Sequence, residues 1–347
     1  MRKWLLAVLL CLLPVLAWAA PATPYGMETA PRYALLTENQ QALLDLLYAS
    51  AAAGEPRADL PEGTLYDDAA AAMEVLATDF PELAGLQNEY ALGYYQHQPE
   101  VATYAELRYS ATGEALQAMR MALLSAAEGL VNAAKGDDFA REVALHDTIC
   151  SRVRYDLSAP NAHNAYGALV EGRAGCEGYA QAMTLLCRMA GMPCTMVTGM
   201  AWDGTYMRPH AWNMVQIAGY WGHVDATYND QQEILHWYFN LSDGQLSADH
   251  TWDSLPFSAP EEGVMEYHCV LNQTASSLEE AEYLLLQGMQ KGAVSIRFAE
   301  EKDYLAFTEN VAGALERANQ RAETPFYGAY RVMVSPQQRC VMVVFGE

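Results

Sequence analysis

Apolar residues recur at helical spacing in three stretches of the chain. Residues 35–55, LLTENQQALLDLLYASAAAGE, start at a Thr-Glu pair and stop at Gly54, which is typical of a capped helix. A second apolar stripe predicts a helix from Asp137 to about Arg154. The third predicted helix runs from Cys176 to Ala190, where Gly191 ends it.

Other segments alternate apolar and polar residues, as strands do. The tyrosine-rich stretch 88–110 is strand-like, although residues 20–133 as a whole read as a mainly helical region. His210–Ile217 and Tyr220–Tyr228 are predicted as two strands around a turn. A loop rich in Asn, Pro, Ser and Gly is predicted between residues 155 and 175.

The C-terminal residues 256–347 predict a small α/β appendage. Alternation at Val294, Ile296 and Phe298 indicates a strand, and residues 302–318 indicate a helix. The segments YRVMV and CVMVVF flank a turn-like Ser-Pro-Gln-Gln and predict a hairpin.

The first nineteen residues have the order of a secretory signal peptide. Arg2 and Lys3 precede an apolar run, and Ala17-Trp18-Ala19 offers the small residues of a cleavage site. The alternative is an uncleaved membrane anchor, but Pro14 interrupts an already short apolar run. We therefore expect a secreted or cell-envelope protein with no membrane association after cleavage.

The formal net charge of −23 excludes partners of strongly negative charge. With 43 acidic and 20 basic residues, the chain repels phosphate backbones and anionic lipid. We therefore expect no nucleic-acid binding.

Six cysteines would remain after the leader is removed: Cys150, Cys176, Cys187, Cys194, Cys269 and Cys340. None is paired at the CxxC spacing of a zinc site, and six are few for a disulfide scaffold of this length. We predict mostly buried, unpaired thiols. The spacing of histidines and carboxylates likewise implies no metal or organic cofactor.

Cys176 differs from the other thiols because it opens a helix, in the stretch EGRAGCEGYA. Free backbone N–H groups and the positive end of the helix dipole favour thiolate there, which makes a nucleophile. Gly175 and Gly178 would let a substrate or a partner strand approach the sulfur. The alternative is an ordinary packing cysteine, as mid-helix Cys187 exemplifies.

A base and an orienting carboxylate follow on the predicted hairpin. If a two-residue turn pairs Ile217 with Tyr220, His210 and Asp225 are diagonal neighbours on one face. A three-residue turn would place them on opposite faces. His223 lies on the same face and is a rival for the base, whereas His146 is predicted to be a hydrogen-bonded packing residue.

These blocks together resemble the transglutaminase-like superfamily of papain-fold cysteine enzymes, in particular exported bacterial members. The resemblance is carried by GCEGYA (175–180), HAWNMV (210–215), WGHVDATYND (221–230), YFNLSDGQLSADHTWD (238–253) and LHDTICSRVRYD (145–156). It implies an α+β fold in which a nucleophile helix packs on an antiparallel sheet, over residues 134–255. One departure is Gly222, where the family usually has a bulky residue.

The resemblance implies Cys176 as nucleophile, His210 as base and Asp225 as the residue that orients His210. Tyr166 or Asn164 would supply the second oxyanion donor, and Trp212 would contact substrate or exclude water. The implied activity is cysteine acyl transfer through a thioester, with a protein or peptide as the substrate. Water as acceptor makes a peptidase or amidase, and an amine makes a protein crosslinker. A non-catalytic binding module in envelope assembly is the alternative.

Overall fold

The computed structural model describes residues 23, 25–253, 255–260 and 263–346, and these residues form an α+β fold. The predicted signal peptide, with Cys11, lies outside the described residues. Within the described part of the chain, no helix is both long and apolar enough to cross a bilayer.

The N-terminal region combines three helices with a three-stranded antiparallel sheet. Its elements are α1 (Glu38–Ala53), β1 (Arg57–Asp59), α2 (Tyr66–Asp79), β2 (Leu86–Tyr95), β3 (Gln98–Tyr109) and α3 (Gly113–Ala133), with sheet order β1-β3-β2. Helix α1 begins at a capping box between Thr37 and Gln40 and ends at left-handed Gly54. The predicted helix and the strand-like stretch are both confirmed.

The central part surrounds a five-stranded antiparallel sheet of order β10-β6-β7-β8-β9. Its elements are α4 (Asp138–Arg152), β4 (Arg154–Tyr155), β5 (Arg173–Ala174), α5 (Cys176–Met189), β6 (Cys194–Trp202), β7 (Met207–Ile217), β8 (Tyr220–Val224), α6 (Ala226–Asn229), β9 (Phe239–Leu241), α7 (Asp243–Leu246) and β10 (His250–Trp252). Helix α5 lies across β6 and β7 and shares one core with α4. The predicted bounds of α4 and α5 are confirmed to within two residues.

The β7–β8 hairpin has the two-residue turn that the sequence argument required. Ile217 pairs with Tyr220, and Ala218 and Gly219 both have positive φ angles, which a tight turn of this type needs. Strand β8, however, ends at Val224, so the prediction of a strand to Tyr228 is wrong. The Asp225 side chain accepts the Tyr228 N–H and starts helix α6 instead.

The glycines around Cys176 admit a segment of this same chain. A Cβ on Gly178 would lie 2.6 Å from the Ala162 carbonyl oxygen, and one on Gly175 would lie 2.5 Å from Leu157. The 155–175 segment therefore crosses the start of α5 and contains a π-helical turn, Gly167–Glu171. The expectation that these glycines serve substrate access is corrected, because the chain itself occupies the space.

The C-terminal part is a four-stranded sheet with helices. Its elements are α8 (Tyr267–Val270), β11 (Thr274–Ala275), α9 (Leu278–Lys291), β12 (Ala293–Phe298), α10 (Glu301–Glu309), α11 (Val311–Gln320), β13 (Tyr330–Ser335) and β14 (Cys340–Phe345), with sheet order β11-β12-β14-β13. The predicted hairpin is confirmed as β13–β14. The single helix predicted at 302–318 is wrong, because Asn310 leaves the helical conformation and its side chain caps α11.

The C-terminal part covers the face of the central sheet opposite α5. Cys340, Met333 and Met342 join an apolar cluster with Trp212 and Trp237 of the central part. A buried Arg297 side chain strengthens this contact, since its Nη2 donates to the Trp237 carbonyl at 2.7 Å. The central sheet is thus enclosed on both faces.

Candidate active site

Cys176 is the first residue of α5, where the helix offers free donors. Its N-cap Gly175 has no side chain to occupy the first-turn N–H groups, so these remain directed at the start of the helix. The side chain is half-buried and packs against Ala180, Met196 and Ala211. A negative charge on the sulfur would therefore lie at the positive end of the helix dipole.

His210 links this thiol to Asp225. The imidazole Nε2 lies 2.7 Å from Asp225 Oδ2, and the same side chain lies next to Cys176, which contributes to the raised pKa of His210. Because Nε2 is taken by Asp225, Nδ1 is the nitrogen available to the sulfur. The structure thus brings together the three residues that the hairpin argument and the resemblance singled out.

Asp225 is held by contacts on both carboxylate oxygens. Oδ1 accepts the Tyr228 N–H at 3.0 Å, while Oδ2 faces His210. Burial raises the pKa of Asp225, but the charge of His210 and the hydrogen bonds from His210 and His250 outweigh it and hold the pKa well below its usual range. The carboxylate remains ionised at neutral pH.

The same contacts keep His210 protonated. Burial lowers the pKa of His210, but the charge of Asp225, its hydrogen bond and the neighbouring Cys176 outweigh burial and raise the pKa to about 10. The His210 imidazolium is thus placed beside the Cys176 side chain at the start of α5. The arrangement is suited to nucleophilic attack followed by proton donation to a leaving amine.

His223, the rival base, has both ring nitrogens engaged elsewhere. Its Nδ1 accepts the Trp212 indole N–H at 3.1 Å, and its Nε2 lies 2.8 Å from Asp243 Oδ1. Burial lowers the pKa of His223 despite the Asp243 contact. His223 therefore supports Trp212 and is not placed to serve Cys176.

Trp212, Asn164 and Tyr166, the other predicted site residues, occupy supporting positions. Trp212 is 1% exposed, and its ring stacks on His210 from inside the protein. Asn164 Oδ1 accepts the Gly167 N–H at 3.1 Å, which caps the π-helical turn. Tyr166 packs against the core beneath α5. Their roles with substrate stay predictions.

Sequence reasoning missed Tyr155. Its side chain lies next to Cys176, and burial and the charges of Cys176 and Asp225 raise its pKa. The parallel pairing of β4 with β5 sets Tyr155 beside Ala174, two residues before the thiol. A two-residue bridge between distant segments leaves no periodic signal, which is why the sequence did not point to it.

His250 was also missed, although the quoted HTWD block contains it. The residue is 1% exposed, and its Nε2 lies 3.2 Å from the same Asp225 oxygen that His210 contacts. Its Nδ1 lies 2.6 Å from Asp249 Oδ1. The signal available in the sequence was the Asp249-His250 pair inside the 238–253 block.

A cleft of about 1110 Å³ opens beside His210. Its walls include Trp202 and Tyr228 of the central part, and Met333 and Val334 of the C-terminal hairpin. The aromatic and apolar lining can hold the side chains of an extended peptide, and the two parts of the chain build the cleft jointly.

Two groups in the described residues bring three potential metal ligands together: His210, Asp225 and His250, and also His146, Asp147 and His236. In the second group the amide of Asn229 is oriented by the Tyr238 backbone, and it donates to His146 Nε2 at 3.0 Å. His146 Nδ1 must then carry the proton and donate it to Asp147. Hydrogen bonds account for both groups.

The cysteine prediction is confirmed for the described residues. All six thiols are free, and Cys150, Cys187, Cys194 and Cys340 are buried. Cys176 is half-buried and Cys269 exposed. Of the six, Cys176 is the one that contacts His210.

Part of the chain is similar to known proteins. Residues 125–226, a segment that contains Cys176, His210 and Asp225, match the model of the transglutaminase-like superfamily. Kyphoscoliosis peptidase of Homo sapiens is 31% identical over 106 residues, which cover 26% of this chain and 16% of that protein. The Mus musculus protein of the same name has the same identity and coverage. The chain thus spans a minor part of these relatives.

Solved structures give weaker likenesses. A structure described as a TGase is 17% identical, covers 41% of this chain and 45% of that one, and has a TM-score of 0.28. The periplasmic domain of TgpA from Pseudomonas aeruginosa is 21% identical, covers 37% and 55%, and has a TM-score of 0.24. The family model thus makes residues 125–226 of this chain similar to the core domain of the transglutaminase-like superfamily.

Proposed function

We propose that this protein is an exported cysteine acyl-transfer enzyme that acts on amide bonds of proteins or peptides. One observation carries the proposal: Cys176 at a helix start lies next to His210, whose Nε2 is 2.7 Å from a buried, ionised Asp225. Each member has the environment that its role requires.

In the proposed mechanism, the Cys176 thiolate attacks the amide carbonyl and a tetrahedral oxyanion forms. The Cys176 backbone N–H at the start of α5 is positioned to donate to that oxyanion. His210 gives its proton to the leaving amine, and the C–N bond breaks to leave a thioester. Asp225 keeps the imidazole oriented and stabilises its positive charge throughout.

We propose water as the principal acceptor of the acyl group. His210, neutral after the first step, takes a proton from water, and the resulting hydroxide attacks the thioester to release the acid and the thiolate. The cleft of about 1110 Å³ reaches His210 and is large enough to admit water beside a bound peptide. The name of the similar human protein, a peptidase, agrees with hydrolysis.

The test is to incubate the purified chain with a pool of glutamine- and lysine-containing peptides, with and without a primary amine, and to weigh the products by mass spectrometry. Hydrolysis adds 18 Da of water across a broken amide, as expected from the chemistry of a thioester resolved by water. Products that contain the added amine would instead mean that the amine is the acyl acceptor and that the reaction is transamidation.

Cys176→Ala is the control for this assay and should give no product. Product from Cys176→Ala would reject the nucleophile. If the intact chain yields no product from any pool, while one peptide or envelope component binds with micromolar affinity, the protein is a binding module.

Export is the second part of the proposal, and residues 1–19 support it. Expression of the full chain in a bacterial host, followed by N-terminal sequencing, should yield a mature protein that starts at Ala20 in the envelope or medium fraction. An intact Met1 in the cytoplasmic fraction would contradict this part alone.

A further inference from the structure

His250 is a buried histidine with a carboxylate on each ring nitrogen. Nε2 is 3.2 Å from Asp225 Oδ2, and Nδ1 is 2.6 Å from Asp249 Oδ1. A neutral imidazole has one N–H, so only the imidazolium can donate in both directions. A buried cation between two carboxylates is compatible with the interior because each side is paired.

Burial lowers the pKa of His250, but hydrogen bonds to Asp225 and Asp249 and the charges of both carboxylates outweigh it and raise the pKa. The titratable groups that face the ring come from every neighbouring element: His210, His223, Asp225, Tyr228, Tyr238 and Asp249. The two tyrosines stay neutral, because burial and nearby carboxylates raise their pKa values.

The backbone fixes His250 at this position. Strand β10 pairs with β6, so that His250 lies opposite Ala201. Glycine at 199 permits the pairing, because a Cβ there would lie 2.2 Å from the Thr251 carbonyl oxygen. Asp249 is anchored in turn, since its Oδ2 accepts the Tyr238 hydroxyl at 2.6 Å.

We propose that His250 is a positioning residue for Asp225, which it holds in the orientation that serves His210. This inference rests on the proposed function. Asp225 Oδ2 accepts from both histidines, and Oδ1 accepts from the Tyr228 backbone. The Tyr228 bond restrains one oxygen, and the second N–H, from His250, prevents rotation of the other away from His210. Asp249 anchors His250 and completes a chain of contacts behind the thiol.

Two substitutions separate positioning from packing. In His250→Gln the amide nitrogen lies near the place of Nε2 and keeps a donor to Asp225. In His250→Asn the amide lies near the place of Nδ1 and keeps a donor to Asp249 only. Both lose the ring and its buried charge, so their stability losses should be similar, which thermal unfolding and near-ultraviolet circular dichroism check.

We expect His250→Gln to keep kcat/KM within about tenfold of the parent, and His250→Asn to lose about a hundredfold, the scale of a misplaced catalytic group. The alkaline limb of the pH profile should move to lower pH in His250→Asn, because a displaced Asp225 no longer raises the pKa of His210. Equal losses in the two variants would overturn the inference. So would a limb that stays in place or moves upward, which would mean that His250 acts through its charge alone.

The protonation state gives a readout that needs no substrate. Nitrogen-15 NMR of histidine side chains should show both ring nitrogens of His250 protonated at neutral pH, with assignment by the His250→Gln spectrum. A His250 whose Nε2 carries no proton would overturn the inference even in an active enzyme, because Asp225 would then receive no donor from it. Absence of turnover in the parent chain, with His250 doubly protonated, would instead reject the proposed function.

Discussion

In the described part of the chain, two groups bring a cysteine, a histidine and an aspartate together, and we propose that one of them carries out chemistry. In the first, Cys176, His210 and Asp225 come from three elements. In the second, all three residues lie on α4: Cys150 Sγ is 3.7 Å from His146 Nε2, and His146 Nδ1 is 2.8 Å from Asp147 Oδ1. The residue types and the order of contacts are the same.

The helix ends separate the two groups. Cys176 opens α5, whereas Cys150 lies in the last turn of α4, where the negative end of the dipole disfavours a thiolate. Burial and the charges of nearby aspartates raise the pKa of the Cys150 thiol, whose S–H donates to the Ala226 carbonyl.

The histidines differ in the same direction. Asn229 donates to His146 Nε2, and burial lowers the pKa of His146 even though Asp147 opposes it. His210 instead has its pKa raised, and it borders an open cleft. The comparison teaches that distance among three residue types does not define a catalytic site; the helix end, the solvent access and the second nitrogen of the histidine do.

Substitution of Asp225 and of Asp147 should give the largest difference in kcat between the two groups. Asp225→Asn leaves shape nearly unchanged but no longer stabilises the His210 imidazolium, and we expect kcat to fall about 10⁴-fold, as in other triads. Asp147→Asn should change kcat by less than threefold and cost about 1 kcal/mol of stability, since it weakens hydrogen bonds from His146 and His236. Steady-state kinetics of both variants and urea unfolding give these numbers. Similar kcat losses would mean that both groups take part in the reaction.

Thiol labelling should give the next largest difference. At pH 7 and low iodoacetamide, Cys176 should react at least about a hundredfold faster than Cys150, because it is a half-buried thiol beside a protonated His210. Peptide mapping by mass spectrometry measures both rates in one sample. Cys150→Ala should leave the Cys176 rate intact. Labelling rates within a few-fold of each other would mean that the position at the start of α5 does not make Cys176 more reactive.

Whether a feature could be predicted from the sequence depends on how far apart in the chain the interacting residues lie. The register of the β7–β8 hairpin could be predicted, because a two-residue turn and alternating side chains are local. The end of β8 could not, because it depends on the Asp225 side chain, which starts a helix. Tyr155 and His250 reach the site through pairings with β5 and β6, and no local pattern encodes those partners.

His210 and His146 should contribute to folding stability with opposite pH dependence. His210 has a raised pKa of about 10, so kcat/KM should fall about tenfold per pH unit above that value, as the proton for the leaving amine is lost. Its contribution to folding stability is complete below the unfolded pKa, about 6.5, and is lost as pH rises through about 10.

His146 has a lowered pKa, so its neutral form is the native one. Its contribution is present above about 6.5 and is lost as pH falls below that value. Urea unfolding from pH 5 to 10 measures the free energy of unfolding of each variant and of the parent. The stability difference between His210→Gln and the parent should therefore shrink at high pH, whereas the difference between His146→Gln and the parent should shrink at low pH. The same direction in both variants would contradict the assignment.

Solvent access, the third difference, should have the smallest measurable effect. Val334 is 46% exposed and stands on the cleft wall that the C-terminal hairpin supplies. Val334→Arg should raise KM about three- to tenfold, a loss of about 1 kcal/mol in peptide binding, and leave kcat unchanged because no group near Cys176 moves. Leu305→Arg is the matched control, since Leu305 is 48% exposed on α10 and lies outside the cleft lining. An unchanged KM in Val334→Arg would mean that the substrate reaches Cys176 without touching the C-terminal part, and the cleft beside His210 would then not be the peptide site.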